Sequence, residues 1–156
     1  MNKIIRPSWE LYFINIANLV STRSTCLRRQ YGAVIVDPNH TIVSTGYNGA
    51  PSNTRSCLDS SVCVRDSIGI PSGMNYELCK SVHAEMNAII RSRSSVIGCD
   101  LYIGSTNIKD DREPCDMCKR IMINAGIKRC VYVAGDTIIS AIVKDAYGFS
   151  WDSEGV

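Results

Sequence analysis

The spacing of apolar residues along the chain predicts alternating helices and strands. Trp9, Phe13 and Ile16 recur at helical spacing after the start signals Pro7 and Ser8, so a helix is predicted within the stretch PSWELYFINIANLVSTRS. The stretches GAVIVD and TIVSTGY are two β-branched runs joined by the turn sequence DPNH. This pattern is typical of a β-hairpin.

The second half of the chain continues the alternation. A helix is predicted from residue 83 to about 93, then a strand at DLYIG, a helix at PCDMCKRIMINAG, a strand at RCVYVA and a last helix near TIISAIVKDAYG. Residues 48–79 are rich in Ser, Gly, Asn and Pro and are predicted as one long loop, which in a compact domain is functional or tied down. The order β-β-α-β-α-β indicates an α/β fold with one sheet flanked by helices, in a single domain over residues 1–156.

Composition excludes several classes of protein. The chain has 156 residues, of which 45% are hydrophobic and 21% charged, as in an ordinary globular domain. Its net charge of +2 gives no reason to expect a nucleic-acid partner. The apolar stretch near the N-terminus is too polar for a secretion signal and too short for a membrane span, so we expect a cytoplasmic protein without a membrane partner. Eight cysteines in a cytoplasmic chain favour metal binding or chemistry over disulfides.

Two short motifs contain the candidate chemistry. In SVHAEMNAII, His83 and Glu85 are two residues apart, a spacing that lets them share a task only at the start of a helix. In EPCDMC, Cys115 and Cys118 lie three apart at a predicted helix start, with Pro114 at the first helical position. Free N–H groups there favour thiolates. One imidazole and two thiolates are the ligands of a catalytic zinc that keeps its fourth position for water, and Glu85 would carry the proton.

Each motif has simpler interpretations when taken alone. PCxxC also occurs as a redox pair, and an HAE triplet on a helix is most often a surface or core feature. Both motifs occur here in one chain, in this order, with GYNG upstream. Their combination favours the zinc site.

The pattern HxE followed by PCxxC is the signature of zinc nucleobase deaminases. The chain resembles the cytidine deaminase-like superfamily and, within it, the deoxycytidylate (dCMP) deaminases. The matching segments are GAVIV, STGYNGAP (44–51), HAEMNAI (83–89) and PCDMCKR with NAGIK (114–128). The resemblance implies a three-layer α/β/α fold with a central mixed sheet. It also implies a catalytic Zn²⁺ and hydrolysis of dCMP to dUMP and ammonia, in pyrimidine deoxynucleotide metabolism.

The resemblance assigns further roles to matching residues. Asn48 would hold the sugar hydroxyl of the substrate, although Asn-Gly also forms turns. The Ala84 backbone N–H would bind the pyrimidine carbonyl. Some members carry a second, structural zinc, for which this chain offers the four-cysteine set, namely Cys26, Cys57, Cys63 and Cys79. The alternative is four reduced, partly buried cysteines. Cys99 and Cys130 are predicted core residues.

Relatives of this type are commonly homohexamers, activated by dCTP and inhibited by dTTP, so the resemblance implies an oligomer and these effectors. The substrate phosphate needs a cationic partner, and the sequence offers several candidates without a choice between them: Arg28, Arg29, Arg55, Lys80 and Arg112.

Two alternative functions stay open. One is another deaminase of the superfamily, acting on cytidine, guanine or tRNA adenosine. The other is a non-catalytic zinc-binding accessory of the same fold.

Overall fold

The computed structural model describes residues 4–107 and 113–143, together with the backbone of residues 152–155. In these residues the helices are α1 (Trp9–Ser21), α2 (Cys57–Ser60), α3 (Val64–Ser67), α4 (Ala84–Ile90) and α5 (Asp116–Ala125). The strands are β1 (Tyr31–Val36), β2 (Ile42–Tyr47), β3 (Asp100–Ser105), β4 (Arg129–Ala134), β5 (Thr137–Ile142) and β6 (Asp152–Gly155). A 3₁₀ turn spans Tyr76–Leu78.

The six strands form one mixed sheet in the order β2-β1-β3-β4-β5-β6. Strand β1 pairs antiparallel with both β2 and β3, and the predicted β1–β2 hairpin is therefore confirmed. Strands β3 and β4 are parallel, with α5 as the helix that connects them. The sheet is completed by the antiparallel pairs β4–β5 and β5–β6.

Strand β1 shows how the two faces of the sheet are covered. Val34 and Val36 pack with Phe13 of α1 in one apolar cluster. Ala33 and Ile35 point to the opposite face, where they belong to a second cluster with residues of α4 and α5. Helices on both faces of a mixed sheet give the predicted three-layer α/β/α fold.

The last predicted helix is wrong where the structure describes it. Residues 137–142 form β5, and the end of the predicted helix, residues 144–148, lies outside the described residues. Gly135 adopts a left-handed φ of 59° and turns the chain, so that Thr137 pairs with Ala134. The β-branched run after Thr137 then pairs antiparallel with β4, where its side chains pack better than on a helix.

The long stretch of residues 48–79 is not a structureless loop. It contains α2, α3 and the 3₁₀ turn, each no longer than four residues. Within the described ranges, no helix is long and apolar enough to cross a membrane.

Candidate active site

The position of His83 is set by two contacts between its flanking segment and the end of β2. Val82 forms a two-way backbone bridge with Gly49, in which each N–H donates to the other carbonyl oxygen at 2.8 and 3.1 Å. One turn into α4, the Asn87 side chain donates to the Tyr47 carbonyl at 2.8 Å. His83 is the N-cap of α4 and has extended backbone angles, so its side chain is not on the helical track of the following residues.

Helix α4 packs very closely on β2. A Cβ atom at Gly46 would lie 2.3 Å from the Ala88 nitrogen, so only glycine fits there. Ser44 adds a hydrogen bond to the Ala88 carbonyl at 2.7 Å. The helix that carries His83 and Glu85 is thus fixed to the sheet through backbone contacts.

The two cysteines of PCxxC lie at the start of α5. Cys115 is the N-cap, and Cys118 lies in the first turn with its side chain fully buried. Pro114 precedes the cap and the first helical residue is Asp116, so the sequence placed the helix start two residues too early. The free N–H groups and the positive end of the helix dipole favour a thiolate at such a helix start.

The structure brings these residues together as the His–Cys–Cys cluster, formed by His83, Cys115 and Cys118. The His83 Nδ1 atom lies 3.5 Å from the Cys115 sulfur and 3.4 Å from the Cys118 sulfur. Among the described residues, this is the one group of three or more His, Cys, Asp or Glu side chains whose ligand atoms all lie within 4.8 Å of one another. A nitrogen and two sulfurs fit the ligand preference of zinc.

Hydrogen bonds and charges around the cluster favour a thiolate next to a protonated imidazole when no metal is present. The hydrogen bond from the Cys118 thiol, with further ones from His83 and the Cys118 backbone, lowers the pKa of Cys115 to about 4. The same Cys115 sulfur raises the pKa of Cys118, and burial raises it further. The hydrogen bond with Cys115 also raises the pKa of His83. One thiol is therefore ionised before a metal arrives.

Glu85 lies beside the cluster without belonging to it. Its side chain is only 7% exposed, and its carboxyl group hydrogen-bonds with the Cys118 thiol. Burial raises the pKa of Glu85, while its own backbone N–H and the charge of His83 act in the opposite direction. A buried carboxyl group near such a cluster is suited to carry protons.

His83 and Cys115 of the cluster line a cavity of about 790 Å³, whose wall also includes Asn48, Ala84 and Glu85. The Asn48 side chain uses most of its hydrogen-bonding capacity within the protein. Its oxygen accepts from the Tyr31 N–H at 2.8 Å and from the Ser24 hydroxyl at 2.6 Å, and its nitrogen donates to the Arg29 carbonyl at 2.8 Å. Asn48 therefore shapes the cavity wall as well as facing it.

The cysteines of the four-cysteine set influence one another electrostatically but do not form a metal-ligand geometry. Burial raises the pKa of Cys57, and the neighbouring charges of Cys63, Cys26 and Cys79 raise it further. All four are free thiols, yet no three of them meet the 4.8 Å distance in the described part of the chain. Cys99 and Cys130 are buried in the core, as predicted.

The basic residues that the sequence offered as phosphate partners fall into two groups, those that line the cavity and those that do not. Arg28 and Arg29 line the cavity, whereas Arg55 and Lys80 are exposed and are not part of its wall, and Arg112 lies outside the described residues. Sequence reasoning missed Arg65, which lines the cavity and is only 6% exposed. Its position in a polar loop gave no signal of burial.

Tyr76 was also missed. Its ring packs edge-on against the His83 imidazole, with centroids 5.0 Å apart, and the Arg65 guanidinium lies 4.8 Å from the centroid of the Tyr76 ring. Tyr76 therefore contacts both His83 of the cluster and Arg65.

Comparisons with known proteins agree with this geometry. Residues 7–134 match the family model of the cytidine and deoxycytidylate deaminase zinc-binding region. The deoxycytidylate deaminase of Mycobacterium phage D29 is 38% identical over 133 residues, which cover 81% of this chain and 95% of that protein. The deoxycytidylate deaminase of Schizosaccharomyces pombe is 33% identical over 127 residues, which cover 81% of this chain but 37% of that protein.

The crystal structure of dCMP deaminase from the cyanophage S-TIM5, in complex with dCMP and dUMP, superposes with a TM-score of 0.60 at 27% identity. The match covers 83% of each chain. The family's zinc-binding region and the His–Cys–Cys cluster together support zinc as the cofactor. The chain belongs to the cytidine and deoxycytidylate deaminase family.

Proposed function

We propose that this protein is a zinc-dependent hydrolase that converts dCMP to dUMP and ammonia, and thereby supplies pyrimidine deoxynucleotide metabolism. The observation that carries the proposal is the His–Cys–Cys cluster next to the buried Glu85, in a cavity large enough for a nucleotide. The likeness to two phage proteins named as deaminases of this substrate supports the same reaction.

His83, Cys115 and Cys118 would hold the zinc ion. When bound, zinc lowers the pKa of water and makes a nucleophile available near neutral pH. Glu85 takes up the proton released by water, passes it to the ring N3 of cytosine as C4 is attacked, and then helps to protonate the departing amino group. Its burial keeps bulk water away from these transfers.

Two wall residues would orient the substrate. The Ala84 N–H lies at the start of α4, where backbone donors have no helical partner, and it would donate to the pyrimidine carbonyl. The Asn48 amide nitrogen carries two hydrogens, and one is donated to Arg29. We assign the second to the sugar hydroxyl.

The remaining predictions extend this proposal. A second, structural zinc on Cys26, Cys57, Cys63 and Cys79 is supported by the electrostatic effect of the other three thiols on Cys57, and zinc binding would draw the four sulfurs together. A homohexamer and regulation by dCTP and dTTP stay predictions from the family resemblance. A cytoplasmic location also stays a prediction.

A substrate panel tests the proposal. Purified protein loaded with zinc is assayed for ammonia release from dCMP, CMP, deoxycytidine, guanine and a tRNA anticodon stem, with metal content measured in the same sample. We expect dCMP to have the highest kcat/KM. Preference for another substrate would assign the chain to a different deaminase, and zinc binding without turnover of any substrate would indicate a non-catalytic accessory.

A further inference from the structure

Across the described residues, two buried side-chain nitrogen atoms lack a hydrogen-bond partner, Arg65 Nε and Arg28 Nη1. Both belong to guanidinium groups, and both residues line the active-site cavity. Buried donors in folded proteins are almost always paired, so two unpaired donors in one cavity indicate a ligand that accepts hydrogen bonds.

Arg65 is the more unusual of the two. Only 6% of Arg65 is exposed to solvent, yet it forms no ion pair with any carboxylate of the described residues. Its one hydrogen bond is donated by Nη2 to the Pro71 carbonyl at 3.0 Å. A buried cation that forms no ion pair is costly, and an anion in the cavity would remove that cost.

The contact with Tyr76 does not satisfy Arg65. A cation–π contact uses the face of the guanidinium, whereas its N–H donors lie in the plane. The in-plane Nε–H is therefore still available to a ligand. Glu77 is the carboxylate next in sequence to Tyr76, but it is exposed and accepts its hydrogen bond from Asn75.

Arg28 completes the arrangement. Its Nε forms an ion pair with Asp66 at 3.2 Å, and Asp66 follows Arg65 directly in α3. The carboxylate thus ties the Arg28 side chain to the helix that carries Arg65, while Arg28 Nη1 stays unpaired. The cationic Lys119 differs, because it is paired with Glu113 at 2.7 Å.

We propose that Arg65, assisted by Arg28, forms the subsite that binds the 5′-phosphate of the nucleotide and so distinguishes nucleotides from nucleosides. The proposal rests on the proposed function. Tyr76 contacts both Arg65 and His83, and all three residues line one cavity, so the subsite and the zinc ligands face the same substrate. Planar guanidinium groups suit the oxygen geometry of a phosphate monoester.

The experiment compares kcat/KM for dCMP and for deoxycytidine, which lacks the phosphate, in the wild type and in Arg65→Met. We expect the variant to lose about 10- to 100-fold for dCMP and little for deoxycytidine, as for the loss of a charge-assisted hydrogen bond. Arg93→Met is the matched control, because Arg93 is exposed and outside the cavity wall. An equal loss for both substrates would overturn the proposal and make Arg65 a structural residue.

A measurement on the wild type covers the case in which Arg65→Met does not fold. Inorganic phosphate should raise the KM for dCMP and leave the KM for deoxycytidine unchanged, and equal inhibition of both would contradict the subsite. A wild type that turns over neither substrate contradicts the proposed function alone. Calorimetric titration of inorganic phosphate into wild type and Arg28→Met then tests the subsite, with weaker binding expected for the variant and equal binding overturning it.

Discussion

The two groups of cysteines in this chain differ in what holds them. In the His–Cys–Cys cluster, His83 and Cys115 are N-caps of helices that pack on one sheet, and the ligand atoms already lie within ligand distance of one another. The four-cysteine set lies largely in a segment of very short helices. Its other three thiols raise the pKa of Cys57, but among the described residues no three of the four sulfurs lie within 4.8 Å of one another. The first site is built by the core, whereas the second needs a metal to close it.

This difference separates two roles for zinc. Removal of metal from a site fixed by secondary structure leaves the fold intact and stops the chemistry. Removal from a site made of loop residues releases the loop, because metal binding and folding are then the same event. The segment that carries most of the four-cysteine set also contains Arg65 and Tyr76, so the cavity wall depends on this segment being folded.

The largest effect is expected for Glu85→Gln. The amide keeps the size of the side chain but cannot accept and return a proton, so kcat for dCMP should fall by about 10³-fold or more. Zinc content should not change, because Glu85 is outside the His–Cys–Cys cluster. Asp136→Asn, in the exposed β4–β5 turn, is the control. Near-normal turnover by Glu85→Gln would refute the proton-transfer role.

Serine substitutions in the two groups should have opposite consequences. Cys115→Ser should abolish turnover and remove one zinc, with a small change in the free energy of unfolding. Cys57→Ser should remove the other zinc and lower the free energy of unfolding by about 3–5 kcal/mol, because the loop is no longer held. Metal analysis and urea unfolding of both variants check this. A wild type with a single zinc, retained by Cys57→Ser, would contradict the second site.

Two glycine substitutions compare the helix that carries His83 with the segment of the four-cysteine set, and they leave every proposed metal ligand unchanged. Gly46→Ala places a Cβ atom against the backbone of α4 and should cost about 3 kcal/mol, with lower activity because α4 carries His83 and Glu85. Gly73→Ala meets no atom within 4 Å and costs only the strain of its φ of 84°, about 1 kcal/mol. Thermal unfolding of both variants measures the difference. Equal costs would mean that α4 is not fixed by this contact.

The sequence was most informative where local patterns and tertiary packing agree. The β1–β2 hairpin and the starts of α4 and α5 follow from β-branched runs, turn residues and cap positions, and these elements place His83, Cys115 and Cys118. The helix predicted from residue 137 is wrong because a short apolar run is compatible with the spacing of a helix and of a strand. Pairing with β4 makes it a strand.

The cavity wall could not be read from the chain. Arg65 lies in a polar segment with no periodicity, and its burial depends on contacts with Pro71 and Tyr76 that only the folded loop creates. In the same way, Asn48 could be identified as facing the site, but its hydrogen bonds to Ser24 and Tyr31 depend on how β1 and β2 pair.

The smallest effect concerns the capping box that begins α2 in the four-cysteine segment. The Asp59 carboxylate accepts from the Ser56 hydroxyl at 2.7 Å and from the Ser56 N–H at 2.9 Å, and these hydrogen bonds lower the pKa of Asp59. A lowered folded-state pKa gives stability that is present above the unfolded value and is lost as the pH falls through the folded one. Asp59→Asn should therefore be slightly less stable than the wild type at neutral pH.

The stability gap between wild type and Asp59→Asn should stay constant above about pH 5 and shrink as the pH falls below about 4, since the wild-type carboxylate then becomes protonated. Urea unfolding of the zinc-free proteins across this range measures the gap without competition from thiolate ligation. Asp136→Asn should show no such pH dependence. A gap that does not change with pH would mean that α2 is held by the cysteines alone, and that the capping box contributes nothing to the order of the segment.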